Sequence, residues 1–237
     1  MQRTGLPVLR GFAIATDFQE YSVKRAYTLI ELLVVIAVIA LLMAILMPVM
    51  SRAREQAKIV VVNSELYNIG LALEAYFMDN EDKYPPTRAD CMKREHFNQL
   101  PKELVEQGYL PPPPPTGTWM ASKVEDKFNK GYTYKYCSVG EIILDRNKIH
   151  PVIKATLWIP DGFPDEERED GKLYDDPASS PVTWVLYSHG PRFDYNEMGN
   201  LHYPVPTETW YNPKTRKGII TRMRLKNGRH IGSFERQ

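Results

Sequence analysis

Few residues in this 237-residue chain have the types and spacing to make or break a bond. Five histidines (His96, His150, His189, His202 and His230) are scattered, and none has a nucleophile or ligand partner close in sequence. Ser188-His189-Gly190 lacks the Gly-x-Ser-x-Gly elbow that exposes a serine nucleophile, so it reads as a strand-end turn. No Cys-x-x-Cys or His-Glu-x-x-His spacing occurs, which argues against a structural zinc. Cys91 and Cys137 can form a disulfide if the body lies in an oxidising compartment; two unpaired thiols are the alternative. The loop 193–200 offers Asp194, Asn196 and Glu197, hard oxygen donors that suit calcium. Their spacing is not that of an EF-hand, and the same residue types serve ordinary turns. One ionisable group stands out of place. Glu31 opens a run in which no side chain from Leu32 to Met50 is charged. These residues offer binding and assembly rather than turnover, and no enzyme is expected.

The elements that must position them begin with that run. As a helix, residues 27–50 reach roughly 30 Å and span a bilayer core. The preceding residues 1–26 read as a leader with two more bases than acids, and Lys24-Arg25 abuts the run. Positive charge on that side keeps it cytoplasmic, so the rest of the chain faces the periplasm. The run is too long for a secretory h-region, and no small-x-small cleavage site follows it. Pro48 removes one helical hydrogen bond, so a kink or a melted turn is expected there. In 51–82 the helix continues with Leu66, Ile69, Leu73 and Tyr76-Phe77 on one face and Asn63, Ser64, Asn68 and Glu74 between them. It stops at Asp79-Asn80-Glu81-Asp82, before Pro85-Pro86.

Residues 83–131 read as a connecting region with a short helix over 96–107, ended by Gly108, and a polyproline II spacer at 111–115. Residues 132–237 read as an antiparallel sheet with long loops. Its strands fall at 132–137, 152–159, 182–187 and 219–225, and Asn227-Gly228 makes a hairpin turn towards Ile231. Residues 160–181 and 188–217 read as loops. The expected fold class is α+β: one long helix, half in lipid, packed on a small sheet. Net charge is +1, which carries no nucleic-acid footprint. Locally, 161–176 holds eight acids and 214–236 eight bases. They are two solvated surfaces, or surfaces through which copies touch.

Ala26-Tyr27-Thr28-Leu29-Ile30-Glu31-Leu32-Leu33-Val34-Val35-Ile36, with its preceding bases and Pro48, resembles the prepilin signature of type IV pilins and type II secretion pseudopilins. Ala26 stands where glycine is usual, and Tyr27 where phenylalanine is commoner. Leu71-Ala72-Leu73-Glu74-Ala75-Tyr76 with Tyr84-Pro85, Ser188-His189-Gly190-Pro191 and Tyr211-Asn212-Pro213-Lys214-Thr215 resemble segments of the major pseudopilin. The 140–181 stretch is longer than in that subunit. The resemblance implies a pilin-like fold in a single-pass inner-membrane protein, its amino terminus cytoplasmic and its body periplasmic. It implies cleavage after Ala26 by a prepilin peptidase and methylation of the new Tyr27 amine. Assembly with other pilin subunits by an inner-membrane platform, as a secretion pseudopilus, would follow. A type IV or competence minor pilin is the alternative within the family, and a membrane-anchored enzyme or binding domain the alternative outside it. The resemblance also places calcium in the loop after the 182–187 strand. For Glu31 it supplies a partner: the Tyr27 amine of a neighbouring subunit, attractive and register-setting in a low-dielectric core. The alternative is a carboxylate that snorkels alone to the headgroups.

Overall fold

The computed structural model describes residues 27–89, 97–115, 120–145 and 148–235. The leader 1–26 (with Ala26), Cys91 and His96 lie outside them. Helix α1 (Leu29–Asp79) is followed by β1 (Thr87–Arg88), α2 (Glu103–Glu106), β2 (Lys135–Ser138), β3 (Ile142–Asp145), β4 (Lys148–Ile149), β5 (Leu157–Pro160), β6 (Gly171–Tyr174), β7 (Val182–Ser188), α3 (Tyr195–Asn200), a 3-10 turn (Thr207–Thr209), β8 (Ile220–Leu225) and β9 (His230–Gly232). Two units divide the chain, one ending at Pro48 and the other beginning at Val49. In the first, the side chains of 27–48 are exposed throughout, and by length and composition the helix is apolar enough to cross a membrane. The turn holding Pro48 is helical, so it is not melted.

In the second unit, α1 lays Ile59, Val62, Leu66, Ile69, Leu73 and Tyr76 on a four-stranded antiparallel sheet in the order β2-β7-β8-β9. Alternation along β7 explains how the sheet is covered twice. Trp184 and Leu186 face the helix, while Val185 and Tyr187 face a second core with Leu157, Ile159, Val205, Trp210 and Met223. Each large side chain so buried contributes about 1.5–3 kcal/mol. Gly70 lets the layers meet: a Cβ there would lie 3.3 Å from the Trp184 ring. The helix closes as its composition predicts. Asn80 Nδ2 donates to the Tyr76 carbonyl at 2.8 Å, and Glu81 and Asp82 take positive φ (55° and 58°), which ends the helix.

The α+β class stands, with several differences in detail. The pairing of β1 with β3 is parallel, Thr87 opposite Ile142. That contact is tertiary, and a two-residue strand carries no periodicity to read. The helix expected over 96–107 is one turn, Glu103–Glu106, closed by Gly108 at φ 83°. The strand expected from 152 begins at Leu157, because His150 Nδ1 accepts the amides of Val152 (3.2 Å) and Ile153 (2.7 Å). The loop 160–181 contains β6, which pairs with β5, Trp158 opposite Leu173. The loop 188–217 contains α3 and the 3-10 turn.

Candidate assembly site: the start of the helix and the clamps that carry the body

The helix starts on a reciprocal cap. Glu31 Oε2 accepts the Thr28 amide at 2.8 Å and its hydroxyl at 2.9 Å, and Thr28 Oγ1 accepts the Glu31 amide at 3.3 Å. This is a capping box, Ser/Thr-x-x-Glu, which satisfies donors that a helix start leaves orphaned. Anionic Glu31 also sits at the positive end of the helix dipole. The carboxylate therefore has partners within its own chain, a third arrangement beside the neighbour's amine and the lone snorkel. Tyr27 lies outside the helix and is 84 % exposed. The box lies wholly beyond the Ala26–Tyr27 bond, so a cut there would leave it whole.

Further along α1, three glutamates spaced nine to ten residues apart hold the body. Glu55 Oε1 pairs with Arg216 at 2.6 Å. Glu65 pairs with Lys127 at 2.9 Å and accepts the Tyr134 hydroxyl at 2.5 Å. Glu74 accepts from Tyr84 Oη at 3.0 Å and Trp184 Nε1 at 3.2 Å, and pairs with Arg224 Nε at 3.2 Å. Arg224 also lies over the rings of Phe77 and Tyr84. The sequence put Glu74 among the polar residues off the apolar stripe. The packed structure turns it into the helix–sheet interface, and the sheet partners that do so, Trp184 and Arg224, are over a hundred residues away. The Tyr84 hydroxyl is pushed up by burial first, then by the charge of Glu74.

Other bases of 214–236 pair within the same body: Lys217 with Glu197, Arg222 with Glu235 and Arg229 with Asp165. The turn at Ser188-His189-Gly190 is anchored on Asp126, which is fully buried. Its carboxylate accepts from Ser188 Oγ (2.7 Å), the His189 amide (3.3 Å) and the Phe128 amide (2.9 Å). Burial raises the Asp126 carboxyl against those hydrogen bonds. His189 stacks on Phe193 at 4.1 Å, and burial drives it down to about 3, so it is neutral. Both residues build the turn. Asp126 sits in an irregular loop, and nothing in its local sequence marks it as an anchor.

Asp194 caps α3, its Oδ1 accepting the amides of Asn196 (2.8 Å) and Glu197 (3.1 Å), which holds its carboxyl below the usual range. Glu197 Oε2 meets the Lys217 ammonium at 3.2 Å. Two of the three oxygen donors named for calcium are thus engaged, Asp194 by amides and Glu197 by a cation. Among the described residues no three His, Cys, Asp or Glu side chains gather to hold a metal. Cys137 has no disulfide partner among the described residues and is a buried thiol raised to about 11 by burial. Cys91, the other half of the pair the sequence left open, lies outside the described residues.

Comparison with known proteins adds two findings. The prokaryotic N-terminal methylation motif matches residues 21–47. The type II secretion system core protein G of Pseudomonas aeruginosa is 33 % identical over 90 residues, which are 37 % of this chain and 63 % of that protein. The chain therefore spans under two thirds of that relative's length. No solved structure matches. With its methylation motif at the start of a long apolar helix and an α+β body behind it, this chain is a prepilin-motif protein similar to the pseudopilins of type II secretion.

Proposed function

We propose that the chain is a structural subunit of a type II secretion-like pseudopilus, and that a prepilin peptidase cuts it after Ala26. The subunit waits in the inner membrane by residues 27–50 with its body in the periplasm. A platform there then lifts it into a filament of like subunits. One observation supports this most: the methylation motif coincides with a charged residue, Glu31, at the start of a helix whose residues 32–50 are uncharged and exposed and which runs on to carry a folded body. A simple anchor needs such an acid only as the cap of its helix start, and an acid in lipid costs up to roughly 2.5–3.5 kcal/mol at mid-bilayer and less near the end. A filament has a use for it, since the Tyr27 amine of a neighbour can replace Thr28 as its partner. Intact-mass and amino-terminal analysis of the membrane-extracted protein tests the reading. The expected result is a chain beginning at methylated Tyr27, and an uncut chain would remove the proposal. Glu31→Ala should then leave cleavage and insertion intact but abolish filaments.

A further inference from the structure

The loop between β4 and β5 forms an ordered apolar knob. His150 Nδ1 accepts the amides of Val152 and Ile153, and the His150 amide donates to the Ile142 carbonyl at 2.8 Å. So held, the loop turns apolar side chains outward: Val152 is 79 % exposed, and Ile149 and Ile153 are each 50 % exposed. Exposed Lys148 and Lys154 flank them, and neither forms an ion pair among the described residues. A rigid apolar tip with a charged rim is the composition of a contact surface, not of an idle loop.

A surface of opposite charge lies on the same body. The tip joining β5 to β6 is closed by backbone bonds from Glu166 N to the Gly162 carbonyl, Arg168 N to that of Asp161, and Asp161 N to that of Asp170. It presents Asp161, Glu166, Glu169 and Asp170, all exposed and without an ion pair among the described residues. On the adjoining strand Leu173 is 64 % exposed. Five of the seven described bases of 214–236, Arg216, Arg224, Lys217, Arg222 and Arg229, are paired with Glu55, Glu74, Glu197, Glu235 and Asp165.

We infer that the knob at 148–154 docks on the acidic β5–β6 tip of a second copy of this chain. Two different patches meeting head to tail generate an open helical polymer wherever the rotation between copies does not close into a ring. The inference rests on the filament reading and names the surface through which bodies engage. Its test is charge exchange in the full chain, in cells that assemble it. Lys148→Glu with Lys154→Glu, and separately Glu169→Lys with Asp170→Lys, should each cut sheared filament on the order of tenfold, because like charges then face each other. Combining all four should restore it. Amino-terminal processing and the melting temperature of the extracted subunit should stay at wild-type values, since every altered side chain is exposed. Wild-type filament yield from either pair, or no rescue by the combination, overturns the contact while leaving the filament reading in place. A wild-type chain that forms no filament overturns the filament reading itself, and the contact falls with it.

Discussion

Thr28 and Glu31 satisfy each other before any partner arrives, and this separates two roles for one carboxylate. Glutamine at position 31 can still cap, as in Ser/Thr-x-x-Gln, but it cannot pair with a positive amine. Glu31→Gln should therefore keep the helix start ordered and still fail to assemble, whereas normal filaments would assign Glu31 to capping alone. Thr28→Val should fray the first turn, costing about 1 kcal/mol and speeding hydrogen exchange at residues 29–32. His189 provides a pH test. Its folded-state pKa is lowered to about 3 from an ordinary 6.5 by burial, so its contribution to stability is complete above about 6.5 and is lost as pH falls towards 3. Between pH 7 and 5 the extracted protein should lose part of a few kcal/mol of stability at this group. His189→Phe, which keeps the stack on Phe193, should flatten that loss in a melting-temperature series.

On the scale of elements, α1 and the sheet are joined by an apolar face with charged clamps along it. The apolar face was legible from Leu66, Ile69, Leu73 and Tyr76 because helical periodicity is a local property. The clamps were not, because Arg216, Arg224 and Lys127 come from distant loops and strands. Glu74 is the tightest test. Glu74→Gln leaves the half-buried Arg224 without its counter-charge and should lower the melting temperature by roughly 3–8 °C, for a cost of about 1–3 kcal/mol. Gly70→Leu should do comparable damage by a different route, driving a side chain into Trp184 and Arg222 where no space exists.

Across the whole molecule, two units carry two tasks. Residues 29–48 form an exposed apolar helix long enough to cross a membrane, and the second unit forms a body with two cores, one on each face of the four-stranded sheet. The loop 193–200 is integrated into that body by the Asp194 cap and the Glu197–Lys217 pair. Millimolar calcium should therefore leave the melting temperature of the extracted protein unchanged. An upward shift would show that the loop rebuilds itself around the ion.

What the sequence determined by itself is local: the long helix and its two faces, its stop at 79–82, the hairpin at Asn227-Gly228, and the prepilin segment around Glu31. Periodicity, turn chemistry and an unbroken apolar run are written in adjacent residues, so they can be read without a fold. Only the tertiary structure decided where the charges went. The sequence shows a basic tail and an acidic stretch, but whether a base faces water, a neighbour or its own helix depends on packing between residues far apart in the chain. The same holds for the parallel β1–β3 pair and the burial of Asp126. Each is set by long-range contacts whose energy exceeds the weak local preferences that the sequence displays.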